Sequence, residues 1–411
     1  MRTGKIDTGT RPGRRAAPVI VVLFAAAFPA CSGDNMGPDL SLATCSLPLE
    51  SLTDGGRDRS SIPALDNPEV ARRLIAPEVG YVQRSDQVIA LHFNDQPLAI
   101  PLKLLWYHEV LNFSVLDERL VPDERLTVTY SPLTGSVGVF NPEPSGASDF
   151  RVSSYVLDNN LVMEDGSGTF YPQLAPSATC GPRDGTRLTR VPYELMTYGA
   201  WLLIYLDTWI VSRDTGHDFL YTLYPYGNYR TPSNTWLFYP TAAPIDRRRL
   251  PKETVIGVPA GSGGIAFPLA DLRAAAVNDQ PGSAGTSVWA ASGMAGGEPV
   301  VAFWNTQAQS ARVYRARAGG RTLTFEVMEG RRQDVETGSI WNFNGRAVTG
   351  PLEGERLEPH PESYHAFWFA WAAFQPDIDV WRAAPSFDAA AGAVVVSPPR
   401  SLDPDLVRQP R

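Results

Sequence analysis

The chain repeats itself, and this repeat constrains its fold more than any other feature of the sequence. The stretch DQVIALHFNDQPLAIPLKLL (86–105) aligns with ETVIGVPAGSGGIAFPLADL (253–272) at a shift of 167 residues. The stretch CGPRDGTRLTRVP (180–192) aligns with TGPLEGERLEPHP (349–361) at a shift of 169. Similar features in the same order at nearly one spacing predict a duplicated unit of about 150 residues, within the usual range of domain sizes.

Each copy is predicted to consist mainly of β-strands. QVIALHF and LAIPL flank a turn at Asn94-Asp95, and TVIGV and IAFPL flank a glycine-rich turn; both patterns are typical of hairpins. One short, buried, aromatic-rich helix is expected to close each copy, within the stretches 198–207 and 364–377. The sequence therefore predicts a mainly β (α+β) protein, with a first repeat at 61–240 and a second at 251–382, related by a pseudo-twofold axis.

The N-terminal residues have the pattern of a secretory signal peptide. Five cationic residues precede the apolar run APVIVVLFAAAFPAC, which is short for a permanent membrane span. Cys31 follows Phe28-Pro29-Ala30, and a small residue before a cysteine at the end of such a run is typical of a bacterial lipobox. We therefore expect residues 1–30 to be removed, Cys31 to be lipidated, and the protein to be exported to the cell envelope and anchored to the membrane. Cleavage without lipid attachment is the alternative.

Two segments outside the repeats have the composition of unstructured chain. Residues 31–60 are rich in Gly, Ser, Asp and Pro, which predicts a flexible linker between the lipid and the first repeat. Residues 383–411 consist largely of Ala, Pro and Arg with little periodicity, and we predict a disordered tail.

The net charge argues against nucleic acid as a partner. The chain has 44 acidic and 36 basic residues, a formal charge of −8. Removal of the signal peptide would bring this charge to about −12, which repels a polyanion. The partners that we expect are the membrane, reached through the N-terminal lipid, and a small molecule or another envelope protein.

Three cysteines fit an exported protein. If Cys31 carries lipid, Cys45 and Cys180 remain as a pair in an oxidising compartment, and we predict a disulfide between them. Such a bridge closes a long loop, which in the chain-entropy account stabilises the fold by roughly 4–5 kcal/mol. Two unpaired thiols are the alternative.

Several stretches resemble one protein family. They are IPALDNPEV (62–70), PLKLLWYHEVLN (101–112), VTYSPLTGSVGVF (128–140), LDNNLVMED (157–165), VSRDTG (211–216), YPYGNY (224–229), TGSIWNFNGRAVTGPLEG (337–354) and FWFAWAAFQPD (367–377). Through them the chain, over roughly residues 60 to 382, resembles the bacterial and archaeal proteins grouped as domain of unknown function 3179. The family has no established activity, so the resemblance points to a site and not to a reaction.

The resemblance implies a site at one hairpin tip. Family members typically carry Tyr/Phe-Cys-Pro-Leu-Cys-Gly where this chain has Tyr130-Ser131-Pro132-Leu133-Thr134-Gly135, together with a Trp-His-Glu and an Asn-Leu nearby. Two thiols, a histidine and a carboxylate would suit a soft metal or redox chemistry. The hydroxyls that replace both thiols support neither thiolate ligation nor disulfide exchange. We therefore predict a degenerate binding site, without metal or cofactor, that consists of His108, Glu109, Ser131, Thr134 and Asn160.

Three classes of function remain open: a non-catalytic binding protein, a metal-dependent or redox enzyme that uses His108 and Glu109, and a structural envelope protein. Adjacent residues on a strand point to opposite faces, so a structural, hydrogen-bonded His108 is favoured. A Ser131 nucleophile is not expected, because Pro132 lacks the backbone N–H that usually completes an oxyanion hole. We expect a binding protein with no catalytic residues.

Overall fold

The structure, a computed structural model, describes six stretches of the chain: residues 45–56, 61–72, 79–93, 95–114, 125–279 and 287–383. The predicted signal peptide, the lipidated Cys31 and nearly all of the predicted tail lie outside the described residues. Within these stretches, no helix is long and apolar enough to cross a membrane. All six belong to one compact unit.

Strands account for most of the regular structure before residue 212. They are β1 (Thr53–Asp54), β2 (Leu65–Asp66), β3 (Val70–Ala71), β4 (Gln87–Phe93), β5 (Gln96–Pro101), β6 (Val110–Phe113), β7 (Leu126–Ser131), β8 (Ser136–Asn141), β9 (Arg151–Leu157), β10 (Asn160–Glu164), β11 (Phe170–Pro172), β12 (Thr189–Arg190), β13 (Glu194–Thr197) and β14 (Trp209–Val211). The helices of this half are α1 (Leu102–His108) and α2 (Tyr198–Ile204). Short 3-10 turns occur at Leu49–Ser51 and Glu143–Ser145.

Residues 212–253, all of which the structure describes, contain neither helix nor strand. The strands that follow are β15 (Thr254–Ala260), β16 (Gly263–Pro268), β17 (Val288–Ala295), β18 (Glu298–Asn305), β19 (Ser310–Arg315), β20 (Arg317–Ala318), β21 (Arg321–Thr322), β22 (Phe325–Met328), β23 (Arg331–Asp334), β24 (Ile340–Trp341), β25 (Ala347–Thr349), β26 (Tyr364–Phe367) and β27 (Asp379–Val380). The helices are α3 (Leu269–Asp279) and α4 (Trp368–Phe374).

The prediction of a mainly β fold is confirmed, and the structure has two helices, α1 and α3, besides the two predicted aromatic helices. Each half contains two helices within the described residues, because α1 and α3 follow directly on the second strand of a hairpin. Leu104 and Leu105 are buried and lie four and three residues before the buried His108, so these three side chains share one face of α1. Helices were predicted in the two aromatic stretches, and α2 and α4 lie there.

Two sheets have the same strand order around a hairpin. The first has the order β13-β4-β5-β14-β3, and the second β26-β15-β16-β27. Val88 pairs with Pro101 in the first hairpin, and Val255 pairs with Pro268 in the second. The short strands β14 and β27 each run parallel to the second strand of their hairpin. Both predicted hairpins are therefore present.

One of the remaining larger sheets contains the hairpin with the family motif. One sheet has the order β12-β8-β7-β6-β2, and its neighbour has β1-β9-β10-β11. After residue 253, two further sheets have the orders β17-β18-β19 and β22-β23-β24-β25. The motif occupies the tip between β7 and β8, where Ser131 pairs with Ser136.

Part of the predicted flexible linker belongs to the fold. Thr53 of β1 pairs with Val156 of β9, and Leu52 is buried. The structure joins Cys45 and Cys180 as a disulfide, with 3.9 Å between their Cα atoms. The linker prediction is therefore wrong for residues 45–56, because strand pairing and a covalent bond attach them to the first half.

The two halves meet at their hairpin tips. The Phe367 N–H donates to the carbonyl of Thr134 at the β7–β8 tip, with an N–O distance of 2.7 Å. The Thr197 N–H donates in turn to the carbonyl of Ala308 at the β18–β19 tip, at 3.0 Å. Phe367 and Thr197 are the residues directly before α4 and α2. Each tip is therefore bonded to the start of the aromatic helix of the other half.

Apolar packing accompanies these two backbone bonds. Leu133 packs against the buried cluster that contains Trp368 and Trp371 of α4. Ala308 belongs to the buried cluster that contains Trp201 of α2. The aromatic helices thus contribute to the contact between the halves by packing against a hairpin tip of the opposite half.

Gly135 at the β7–β8 tip provides a test of this contact. Its φ is 58°, and a Cβ there would lie 2.6 Å from Cζ of Phe367. Gly227 has a φ of 57°, but a Cβ there would meet no atom within 4 Å. We predict that Gly227→Ala lowers the free energy of unfolding by about 1 kcal/mol, from backbone strain alone. Gly135→Ala should cost about 3 kcal/mol, because the Phe367 ring must also move.

Urea unfolding followed by tryptophan fluorescence measures both free energies. Equal losses in the two variants would show that the tip is not packed against Phe367.

Candidate functional site

The five residues of the predicted site lie near the β7–β8 hairpin but in three different environments. His108 is buried beneath the irregular segment 212–253. Glu109 and Ser131 line a cavity. Thr134 and Asn160 belong to a buried hydrogen-bond network. The structure therefore brings the predicted residues together in two pairs and separates His108 from both.

His108 is a fully buried, hydrogen-bonded histidine at the end of α1. Its Nδ1 lies 2.8 Å from the carbonyl oxygen of Pro63, and its Nε2 lies 2.7 Å from the hydroxyl oxygen of Tyr221. Because a carbonyl only accepts, Nδ1 carries the hydrogen and Nε2 accepts from Tyr221. Burial lowers the pKa of the imidazole to about 4. The ring is neutral at pH 7 with both nitrogens engaged, the arrangement of a structural histidine.

Glu109 is the left-handed residue that ends α1, with a φ of 58°. Its N–H donates to the carbonyl of Leu105 at 3.1 Å, and its own carbonyl accepts from the N–H of Tyr130 at 2.8 Å. The expectation that His108 and Glu109 are neighbours on one strand is therefore wrong, since one ends a helix and the other turns the chain towards β6. This turn separates the two side chains. The hydroxyl of Tyr226 donates to Oε1 of Glu109 at 3.3 Å.

A cavity of about 50 Å³ lies beside the hairpin. A water molecule needs on the order of 15 Å³ on this scale, so the cavity has room for about three or four heavy atoms. Glu109 and Ser131 place a carboxylate and a hydroxyl in its wall. Most of the remaining wall is apolar or aromatic, with Val152, Val156, Leu161, Tyr226, Phe238 and Tyr239 among its residues. The cavity thus combines a small polar end with a larger apolar surface.

Ser131 is the residue of the motif that reaches this cavity. Its side chain is buried, yet its hydroxyl makes no hydrogen bond to another described residue. A water molecule or a ligand in the cavity can therefore bond to this hydroxyl.

Thr134 belongs instead to a buried polar network. Its Oγ1 lies 2.8 Å from Oγ of Ser136 and accepts from Nδ2 of Asn160 at 3.0 Å. Nδ2 of Asn160 also lies within 3.1 Å of Ser136 Oγ and within 2.9 Å of Gln173 Oε1. Ser136 donates to the same oxygen of Gln173.

Every member of this network is fully buried. Two further hydrogen bonds connect the network to a backbone N–H and to the hydroxyl of Thr129. Oδ1 of Asn160 accepts from the N–H of Leu174 at 3.0 Å, and Nε2 of Gln173 donates to Oγ1 of Thr129 at 2.8 Å. A buried network whose members are paired fixes one arrangement of the elements that carry it. The network joins β7, β8 and β10, and it therefore has a structural role.

The irregular segment 212–253 contains the site residues that sequence reasoning missed. Tyr221 bonds to His108, Tyr226 bonds to Glu109, and the hydroxyl of Tyr229 donates to the carbonyl of Leu133 at 3.0 Å. The segment is held by Asn159, whose side-chain amide exchanges two hydrogen bonds of 2.9 Å with the backbone of Tyr239. The cluster of tyrosines in YPYGNY (224–229) was the available signal for Tyr226 and Tyr229, but it does not identify their partners.

The described residues offer no group of three or more His, Cys, Asp or Glu side chains positioned to hold a metal ion. His360, within the second repeat motif, and His365, just after it, have separate partners. Nε2 of His360 lies 3.5 Å from Glu298, and Nδ1 of His365 lies 3.2 Å from the hydroxyl of Tyr193.

The fold and the site define a mainly β protein with a small cavity beside a conspicuous hairpin tip. A sequence profile of the family described as "Protein of unknown function (DUF3179)" matches residues 59–378. The chain belongs to this family, as its motifs predicted. No curated protein and no solved structure matches the chain.

The two hydroxyl residues of the tip should differ in their contribution to stability. Thr134→Val removes a buried hydroxyl on which Asn160 and Ser136 depend, so we predict a loss of about 1–3 kcal/mol in the free energy of unfolding. Ser131→Ala breaks no hydrogen bond to another described residue and should change that free energy by less than about 0.5 kcal/mol. Chemical denaturation measures both. A cost for Ser131→Ala as large as that for Thr134→Val would contradict the assignment of the two environments.

Proposed function

We propose that the protein is an exported, non-catalytic binding protein of the cell envelope, and that its ligand site is the cavity beside the β7–β8 hairpin. The observation that carries this proposal is the position of Ser131. It stands where family members typically have the first motif cysteine. It lines a mostly apolar cavity, and its hydroxyl makes no hydrogen bond to another described residue. A ligand that combines an apolar body with a polar group fits such a site.

The surroundings of Ser131 favour binding over catalysis. A serine nucleophile needs an adjacent base, and the Nε2 of His108 accepts from Tyr221. Thr134, the other residue in a motif cysteine position, is engaged in the buried network. A redox or metal function that uses His108 and Glu109 would also need their side chains in one pocket, and only Glu109 lines the cavity.

Two features support the envelope location. The N-terminal sequence has the pattern of a signal peptide that ends at a lipobox-like Cys31. A Cys45–Cys180 disulfide is stable in an oxidising compartment outside the cytoplasm. A lipid on Cys31 would place the membrane close to the first half, since Cys45 is attached to that half.

The two halves are copies of one ancestral unit, related by a pseudo-twofold axis. In a twofold contact, if one residue touches a second, the counterpart of the second touches the counterpart of the first. The bonds between Phe367 and Thr134 and between Thr197 and Ala308 have this reciprocal form.

The repeated Gly-Pro turns add support for duplication. A Cβ on Gly181 would lie 2.7 Å from Cα of Thr169, and a Cβ on Gly350 would lie 2.7 Å from Cα of Ser339. The hydroxyls of Thr169 and Ser339 each lie within 2.8 Å of the hydroxyl of the residue two positions earlier. In each case an aspartate closes the turn, since Asp165 accepts from the N–H of Ser167 and Asp334 from the N–H of Thr337. A shared ancestor accounts for such detail more simply than convergence does.

Divergence of the two tips after duplication accounts for the presence of the site in the first half. The tip Ser131–Ser136 corresponds by its strand pairing to Asn305–Ser310. Ala308 then stands where the first half has Thr134, and it packs against the cluster of Trp201. The second tip is a packing element, and the polar network belongs to the first half.

Residue Val156 allows the binding function to be tested. Val156 of β9 lines the cavity, and Val327 occupies the corresponding position in β22 away from it. We expect small fragments of three to five heavy atoms to give saturation-transfer NMR signals with the wild type. Val156→Phe should abolish these signals by filling the cavity, and Val327→Phe should retain them.

If no fragment binds the wild type, or if the signals persist in Val156→Phe, the protein does not bind ligands in this cavity. The first outcome would favour the structural class of function.

A further inference from the structure

We propose that the surface around Trp236 lies against the membrane that holds the lipid on Cys31, so that the protein contacts the bilayer directly as well as through its N-terminal lipid. This inference rests on the envelope location in the proposed function and adds a contact surface to it. It depends on the exposed apolar side chains of this surface, on its local charge and on its position beside the N-terminal segment of the fold.

Two large apolar side chains, those of Trp236 and Leu250, are exposed in the irregular segment 212–253. The exposed fractions are 57% for Trp236 and 51% for Leu250. The two residues lie close together, because Nζ of Lys252, two residues after Leu250, donates to the carbonyl of Trp236. An exposed indole beside an aliphatic side chain is typical of residues that enter the interface of a bilayer, where a ring with one polar end is favoured.

The indole of Trp236 is held in place on its inner side. Its ring centroid lies 4.4 Å from that of Phe238 and 5.8 Å from that of Tyr229. Phe238 packs against the buried cluster of α4, to which Tyr229 belongs. A ring fixed in this way loses little conformational entropy when its exposed side meets lipid.

The local charge of this surface is opposite to that of the whole protein. Residues 231–253 include two acidic and four basic residues, a formal charge of +2 in a chain of −8. Both acidic residues are paired with arginines. Arg247, three residues before Leu250, is exposed and forms no ion pair with another described residue. Its guanidinium group therefore attracts anionic lipid headgroups to the surface that exposes Trp236.

The position of this surface beside the N-terminal segment identifies the bilayer as its partner. The hydroxyl of Tyr239, three residues after Trp236, donates to the carbonyl of Gly55 at 2.8 Å. Gly55 lies in the described stretch that begins at Cys45. Cys31 precedes Cys45 by 14 residues, a span of at most about 50 Å of extended chain. A lipid on Cys31 thus keeps the surface at a high effective concentration relative to the bilayer.

Vesicle flotation tests this contact in the absence of the lipid. The full-length mature protein with Cys31→Ser is mixed with vesicles of phosphatidylethanolamine and phosphatidylglycerol, and its partition coefficient is measured. We expect Trp236→Ser to lower this coefficient about tenfold and Arg247→Ser to lower it about fivefold. Leu206→Ser is the control, because Leu206 follows α2 and is 85% exposed. It should leave the coefficient within about twofold of its original value.

Each outcome has a defined meaning. An unchanged coefficient in Trp236→Ser or Arg247→Ser, or no partition of the parent protein, would overturn the contact. A loss in Leu206→Ser as large as that in Trp236→Ser would overturn it too, because any exposed apolar side chain would then suffice. Self-association that Trp236→Ser abolishes without a change in partition would assign the surface to a second copy of the chain.

Two features of the design keep the result decisive. Arg247→Ser changes an exposed side chain, so it tests the contact even if Trp236→Ser fails to fold. The proposed lipid anchor is tested separately, by detergent phase separation of the protein with and without Cys31→Ser. Failure of that experiment would remove the anchor and leave the vesicle result unaffected.

Discussion

The hydrogen bond from the Phe367 N–H to the carbonyl of Thr134 fixes the hairpin around which the site is built. The tip has no freedom at Gly135, whose positive φ and close approach to the Phe367 ring leave no room for a side chain. The opposite half therefore positions the first half's motif. With the tip held, Ser131 faces the cavity and Thr134 faces the buried network.

This constraint separates two residues that the motif places three apart. In a site with two thiols, that spacing suits side chains acting on one metal ion or on each other. In this chain the two hydroxyls have different surroundings: Thr134 is bonded to Asn160 and Ser136, and Ser131 lines the cavity. The first belongs to the buried network, and the second lies in the cavity wall.

Local patterns in the sequence predicted much of this fold. The hairpins β4–β5 and β15–β16, the helices α2 and α4, and the pairing of Cys45 with Cys180 all follow from strand alternation, aromatic clustering and cysteine count. Helices α1 and α3 escaped prediction because each continues an apolar run that begins in a strand, so the change of period has no marker. The contact of Thr134 with Asn160 could be anticipated from the family motif.

The cavity could not be predicted in the same way. Its wall combines Gly55, Glu109, Ser131, strand β9 and the segment around Phe238, which are far apart in the chain. Segment 212–253 has an irregular backbone, so neither helical nor strand periodicity indicates which of its side chains face the site. Only the tertiary structure places Tyr226 against Glu109 and Tyr239 against Asn159.

If the hydroxyl residues of the tip leave a binding cavity and no thiolate chemistry, the protein should not retain a soft metal ion. Metal analysis of mature protein, purified without chelators and dialysed exhaustively, tests this most directly. Hydroxyls are poor ligands for copper(I) and zinc beside thiolates, so we predict far less than one metal ion per chain. Copper or zinc retained at one ion per chain would contradict the account and favour a metal-dependent enzyme.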